Sequence, residues 1–215
     1  MITIYGNSYS NTIYGTSYST VQNFSIYGFG GNDRIYGGNY NDLLSGGDGN
    51  DYLSSGAGND TLYGGAGSDT MFGGSGIDYL NGGIGNDYIN GGIGNDTVLG
   101  DAGSDILIGD YGNDYMSGGS GNDDIIGGKG NDTLIGGSGY DIFTFNSGDG
   151  KDVIWDFQFD VDQIELNVNG IWDFDDVMWH AWQVGNDTVL AFGADTLTIK
   201  NTDADYFISG DFLIV

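Results

Sequence analysis

From Gly28 to Thr144 the chain repeats every nine residues, thirteen times without an insertion, and that register limits what it can fold into more than any other feature. The units include GGDGNDYLS from Gly46, GGAGSDTMF from Gly64, GGIGNDYIN from Gly82 and GGKGNDTLI from Gly127. The sixth position is always Asp: Asp33, Asp42, Asp51, Asp60, Asp69, Asp78, Asp87, Asp96, Asp105, Asp114, Asp123, Asp132 and Asp141. The eighth is always apolar: Ile35, Leu44, Leu53, Leu62, Met71, Leu80, Ile89, Val98, Leu107, Met116, Ile125, Leu134 and Phe143. With Asp at about one residue in seven, thirteen in succession by chance is on the order of 10⁻¹¹.

Each position has a chemical reading. Six residues of the type GGxGxD form a turn, because several glycines imply positive φ or backbone packed too close for a Cβ. The remaining three alternate outward, inward, outward, as side chains on a strand do, so only position eight faces inside. Thirteen such units coil with two units per turn, placing odd strands in one sheet and even strands in another. Their apolar residues meet in a thin core, and strands ~4.8 Å apart give a body roughly 30 Å long.

That core is too small to hold the chain. One medium apolar side chain per nine residues is worth ~1.5 to 3 kcal/mol, against backbone ordering of ~1 to 2 kcal/mol for every residue. The charge adds to the deficit: the formal net charge is −27, and Glu165 is the one acid that is not Asp. Position-six carboxylates stacked at strand spacing repel unless a cation lies between them. An all-oxygen cage of carboxylates and turn carbonyls suits Ca²⁺, whereas Mg²⁺ keeps its waters and Zn²⁺ prefers nitrogen and sulfur. The absence of Cys excludes thiolate sites and disulfides, and the absence of Pro excludes collagen. Arg34, Lys129, Lys151 and Lys200 are the only cationic side chains besides a single His, which excludes nucleic acid as a partner. There is no apolar run long enough for a membrane span, and MITIYGNSYS lacks the basic start and apolar stretch of a signal peptide.

The units resemble GGxGxDxUx, the nonapeptide of the RTX (repeats-in-toxin, hemolysin-type) calcium-binding family. The resemblance implies an all-β fold, a right-handed parallel β-roll, with each Ca²⁺ between the loops of units n and n+2. Its ligands would be both position-six carboxylates and backbone carbonyls of positions one to four. In the best-preserved loops these are Gly46, Gly47, Asp48 and Gly49; Gly64, Gly65, Ala66 and Gly67; Gly82, Gly83, Ile84 and Gly85; Gly91, Gly92, Ile93 and Gly94; Gly118, Gly119, Ser120 and Gly121; and Gly127, Gly128, Lys129 and Gly130. Filling every gap would take roughly eleven ions and cancel most of the acidic excess. Phe29 and Tyr40 replace Gly where φ > 0 is expected, weakening the first sites, while Asp101 and Asp110 tolerate that conformation better.

Residues 1–27 keep an echo of the pattern, with Ile4 and Ile13 nine apart and each followed by Tyr-Gly, and are expected to form a metal-free, irregular N-terminal cap. Residues 28–144 are the roll. After Thr144 the register slips and returns once from Ser147, with Asp152 in the Asp place. Residues 145–215 are expected to form a mainly antiparallel-β cap with a Trp-rich core, strands at Gln163–Val168, Thr188–Phe192 and Thr196–Lys200, and a helix over Asp173–Trp182. Through GDGKDVIWDF, GNDTVLAF and the terminal Asp-Phe-Leu-Ile-Val, this segment is similar to C-terminal domains exported by the type I (ABC) system. That likeness implies an uncleaved secretion signal, recognition by the ABC exporter and an extracellular location.

Catalysis is not expected, since His180 is the only His and no nucleophile motif is present. The function expected is a secreted, non-catalytic module that folds on Ca²⁺ after export. The alternatives are a Ca²⁺-dependent binding or adhesion module for a neutral glycan, through outward Tyr36, Tyr52, Tyr63, Tyr79, Tyr88 and Tyr115, or for a protein partner, or else the C-terminal module of a larger secreted enzyme or toxin.

Overall fold

The computed structural model describes residues 2–15 and 22–215. Alternate strands fall into two parallel sheets, as a coil with two strands per turn requires. One sheet begins with β1 (Ile2–Asn7), β3 (Phe24–Gly30), β5 (Leu43–Asp48), β7 (Thr61–Ala66), β9 (Tyr79–Ile84), β11 (Thr97–Ala102), β13 (Tyr115–Ser120) and β15 (Thr133–Ser138). The other runs through β2 (Thr12–Tyr14), β4 (Arg34–Gly38), β6 (Tyr52–Ala57), β8 (Thr70–Ser75), β10 (Tyr88–Ile93), β12 (Ile106–Tyr111), β14 (Asp124–Lys129) and β16 (Ile142–Asn146). Register follows the sequence period: Leu62 sits opposite Leu44 and Leu80, and Leu107 opposite Ile89 and Ile125.

Every position-eight residue from Ile35 to Phe143 is buried, in two rows that meet between the sheets. The strands are longer than three residues, because positions one to three extend each ladder into what sequence assigns to the turn. Those extra residues buy no core; their side chains are mostly glycine.

The N-terminal echo is a true coil. Ile4 pairs with Ile26 and Ile13 with Ile35, so both isoleucines stand in line with position eight. The shift between Ile13 and Ile26 spans residues 16–21, which lie outside the described residues.

Beyond Thr144 the ladders continue. β17 (Lys151–Ile154) pairs in parallel with β15, β18 (Gln163–Asn167) with β16, and β22 (Phe212–Ile214) with β18. The cap is therefore not mainly antiparallel, because its strands continue the parallel ladders of the roll: among the described residues antiparallel pairing is confined to β19 (Ala181–Val184), β20 (Asp187–Phe192) and β21 (Asp195–Ile199), and β21 docks in parallel on β17. The helix expected over Asp173–Trp182 is shorter: α1 spans Phe174–Trp179, and Ala181 and Trp182 belong to β19, where pairing with β20 overrides helix propensity. Asp173 caps α1 by accepting the Asp176 N–H at 3.0 Å. The Trp-rich core is also corrected. Trp172 and Trp179 are 82% and 87% exposed, and the cap is filled by Phe143, Phe145, Phe157, Phe207 and Phe212, whose rings have no N–H to satisfy.

Candidate metal centre

The loops between strands bring the position-six aspartates into two buried rows. Each carboxylate has one oxygen in a backbone ladder: the N–H of Asp n donates to Oδ1 of the Asp one full coil later, as from Asp51 to Asp69 at 2.7 Å and from Asp78 to Asp96 at 2.8 Å. The row is closed at its start by Asn11 and Phe24, which occupy the Asp place in the first coils and donate to Asp33 and Asp42. The other oxygen is different. Oδ2 of all thirteen aspartates from Asp33 to Asp141 is buried without a hydrogen-bond partner.

Such an array is unfavourable as it stands, since a buried carboxylate oxygen with no donor lacks compensation for its lost water. Burial pushes these carboxyls up, opposed by the backbone N–H each accepts and reinforced in several by the neighbouring aspartates. Asp69, Asp78, Asp105 and Asp114 reach about 7, and Asp42, Asp51, Asp123 and Asp132 about 6. Asp152 is pushed up to about 8 by its burial beside Asp132, Asp149 and Asp195.

Position one is glycine in twelve of the thirteen units, each with its Asp Oδ2 close by; in the unit of Asp60 it is the buried Ser55, whose hydroxyl donates to the Gly73 carbonyl at 2.6 Å. A Cβ on Gly64 would collide with Asp69 Oδ2 and stand 2.6 Å from the carbonyl oxygen of Gly82. Gly46 is placed likewise between Asp51 Oδ2 and the Gly64 carbonyl, at 2.7 Å from the latter, and Gly100 between Asp105 Oδ2 and the Gly118 carbonyl. A carboxylate and a carbonyl oxygen thus lie too close to each of these glycines to leave room for a Cβ. At position three, the carbonyls of Ala66, Ile84, Ile93, Ser120 and Lys129 each accept one N–H at 2.7–2.8 Å and keep a second lone pair. Among the described residues no three acidic or histidine side chains converge, so a cation here would depend on backbone oxygens. The donor set is all oxygen, which fits a hard divalent cation.

The departures behave differently from one another. Phe29, Asp101 and Asp110 take left-handed φ of 78°, 71° and 78°, as the glycines they replace would. Tyr40 does not; its loop relaxes instead of forcing a bulky residue to φ > 0, contrary to the strain expected there.

Asp152 joins the row where the returning unit places it, while several other residues escape a reading based on nine-residue spacing. Asp152 accepts the Asp132 N–H at 3.0 Å and Asp162 the Asp141 N–H at 3.2 Å, so Asp162 extends the second row, although Gln158 N–H occupies its other oxygen. Asp156 accepts both Gly136 and Gly137 N–H at 2.9 Å. Position-five Asn side chains form an outer ladder, Asn95 Oδ1 accepting from Asn113 N–H and Asn113 Oδ1 from Asn131 N–H, each at 2.8 Å. The signal for it was present, since Asn recurs at that position, but its Oδ1 reaches backbone and not the cavity.

The outward tyrosines stack along the roll. Tyr14, Tyr36, Tyr52, Phe72 and Tyr88 form one continuous row with centroids 4.9–5.9 Å apart, and Tyr63 packs on Tyr79. Only Tyr14 and Tyr36 are near parallel, at 10°; the other pairs are tilted by 45–58°. His180 Nδ1 lies 2.7 Å from the Asp176 carbonyl oxygen, its ring against Phe192.

Comparison with known proteins agrees with this geometry. The extracellular lipase LipA from Serratia marcescens matches in fold with a TM-score of 0.51 and 20% identity, over 93% of this chain and 41% of the lipase. The chain thus spans less than half the lipase's length. The AlgE6R3 subunit of the Azotobacter vinelandii mannuronan C5-epimerase gives 0.41 and 24%, over 67% of this chain and 78% of that one. No curated protein sequence matches. The model for the RTX calcium-binding nonapeptide repeat matches residues 3–18, 27–62, 46–80, 63–98, 72–107, 91–125 and 108–143, more than half of the chain. A nine-residue register, two parallel sheets and buried aspartate rows therefore have one family in common, and the chain belongs to the RTX calcium-binding nonapeptide repeat family, as a Ca²⁺-binding β-roll module.

Proposed function

We propose that the position-six aspartates from Asp33 to Asp141, with Asp152, hold Ca²⁺ through their carboxylates and the carbonyls of the GGxG turns, and that the module exists to fold when it meets that ion. The observation that carries this reading is the row of buried Oδ2 atoms with no partner. Ca²⁺ supplies two positive charges and room for six to eight oxygens, replacing the hydration the carboxylates have lost. The chain's own part is to hold Oδ1 on a backbone N–H, so that Oδ2 faces the loop, and to bring a backbone carbonyl close beside it where position one is glycine.

The wider reading places the module outside the cell, exported by the type I route through a signal in residues 145–215 and carrying no catalytic role of its own. An extracellular module binding at ~10⁻⁴ to 10⁻³ M would stay unfolded at cytosolic Ca²⁺ and fold after export. Two experiments test this. Equilibrium dialysis of the full chain should show several Ca²⁺ per molecule, and Asp96→Asn should lower that number; an unchanged number would refute the ligand assignment. Export by a reconstituted ABC system should depend on residues 145–215, and export of residues 1–144 at the same rate would refute the signal.

A further inference from the structure

The C-terminal cap has a second concave surface, lined by none of the ladder aspartates. β19 and β20 join through the two-residue turn Gly185–Asn186, with Gly185 at φ 67°, and the chain leaving β21 passes through Asn201 at φ 55°. These loops are tied together. Lys200 Nζ donates to Asp187 Oδ2 at 2.6 Å and Asn201 N–H to Asp187 Oδ1 at 3.0 Å. Gln183 Nε2 and Thr188 Oγ1 both donate to the Thr202 carbonyl, at 2.9 and 3.1 Å, and Ala204 N–H donates to Gln183 Oε1 at 3.2 Å. Between the loops and Tyr206 lies a cleft of about 540 Å³, within the ~300–1,000 Å³ of small-molecule sites.

The walls are fixed, and the groups left over share a chemistry. The side-chain amides of Asn186 and Asn201 and the Tyr206 hydroxyl make no hydrogen bond among the described residues. Tyr206 is 69% exposed, and its ring lies against Phe159 with centroids 6.2 Å apart and planes at 69°. Asn201 adopts a left-handed conformation that asparagine tolerates better than most residues, and its backbone is bonded to Asp187. Asp203 Oδ1 already accepts the Asp205 N–H at 3.0 Å.

Carboxamides offer a paired donor and acceptor that match vicinal hydroxyls, and an exposed aromatic ring offers a face to the C–H side of a pyranose. No cation lines the cleft and Asp203 does, so a phosphate, sulfate or uronate would meet like charge on a chain of net charge −27. We propose that this cleft is a binding subsite for a neutral saccharide, with Asn186 and Asn201 reading hydroxyls and Tyr206 stacking on the sugar ring. It is independent of whatever the stacked tyrosines of the roll do.

The test is ¹⁵N NMR on the full Ca²⁺-loaded chain, titrated with maltotriose, cellotriose and mannotriose, and with trigalacturonate as the anionic control. At least one neutral trisaccharide should shift the Asn186 and Asn201 side-chain NH₂ signals and the Gly185 amide, while trigalacturonate leaves them in place. Asn186→Ala and Asn201→Asp, the latter keeping a residue that tolerates left-handed φ, should each weaken binding by roughly tenfold. Tyr206→Phe should retain most of the affinity and Tyr206→Ala lose it, with the circular dichroism spectrum of each unchanged. Silence of the cleft with all three neutral sugars would overturn the proposal. So would an equal response to trigalacturonate, or parental affinity in the Asn variants, either of which would mean an additive-like or remote contact.

Discussion

Gly64→Ala tests the close approach of Asp69 Oδ2 and the Gly82 carbonyl to position one. Gly64 does not require positive φ, so alanine is conformationally acceptable, and in an ordinary strand the change stabilises by roughly 0.5 to 1 kcal/mol. Here the added Cβ would fall against Asp69 Oδ2 and 2.6 Å from the Gly82 carbonyl oxygen, short of the 3.4 Å of ordinary contact. The Gly82 oxygen is backbone and the Asp69 carboxylate is held by the Asp51 N–H, so relief means shifting one or the other. Overpacking of this kind costs about 1 to 3 kcal/mol. On the proposed ligand assignment a displaced Asp69 carboxylate would also lose its ion, and a site at Ca²⁺ 100-fold above its dissociation constant contributes about 2.7 kcal/mol. The expected loss is about 4 to 6 kcal/mol, with a lower Ca²⁺ stoichiometry. Gly30→Ala is the matched control: its φ is not left-handed and its Cβ would find nothing nearer than 3.7 Å. It should be neutral or stabilising. Urea unfolding at fixed Ca²⁺, with calorimetry for stoichiometry, compares the two. If Gly64→Ala binds as many ions as the parent and stays within about 0.5 kcal/mol of it, the packing argument at position one is refuted.

Three other outcomes follow from the ladder. Asp96→Ala should remove more stability than Asp33→Ala, by a few kcal/mol, because it strips the buried Asp78 N–H of its acceptor between two intact loops; Asp33 faces Asn11, in a coil that lacks the Asp. Equal losses in calorimetry would contradict the coil-to-coil coupling. In chelator, acidification should favour the roll: Asp69, Asp78, Asp105 and Asp114 have folded values near 7 against about 3.9 unfolded, so the folded state binds more protons between those limits. Stability of the metal-free chain should therefore fall as pH rises from about 4 to about 7, and a circular dichroism pH series that is flat or opposite in sign would refute this. Deleting residues 145–215 uncovers β15 and cuts β16 short, leaving no strand beyond either, and should weaken or abolish Ca²⁺-induced folding; an unchanged Ca²⁺ midpoint would show that the cap does not template the roll.

What the sequence disclosed and what it hid divide along one physical line. Between Asp33 and Asp141 each coil is 18 residues, so a fixed spatial step is a fixed sequence step, and strands, core row and aspartates can be read directly. Past Thr144 the same hydrogen bond joins residues 20 and 21 apart, Asp132 to Asp152 and Asp141 to Asp162. Strand pairing tolerates the longer loop, but a periodic reading does not, which is why Asp162 and the parallel placement of β18 were missed. The exposed Trp172 and Trp179 mislead for another reason: hydrophobicity predicts burial, yet α1 presents too little surface to cover them, and phenylalanines with no polar atom took the interior. Asp156 gave no periodic signal, since its role is to cap Gly136 and Gly137 from outside the repeat.

The central claim is that at neutral pH this fold exists only with its cation, and far-UV circular dichroism of the full chain at pH 7.5, first in chelator and then through a Ca²⁺ titration into the millimolar range, tests it most directly. The account predicts a largely disordered spectrum in chelator and a cooperative gain of β structure with Ca²⁺. A β-rich spectrum in chelator at that pH, unchanged by added Ca²⁺, would contradict it.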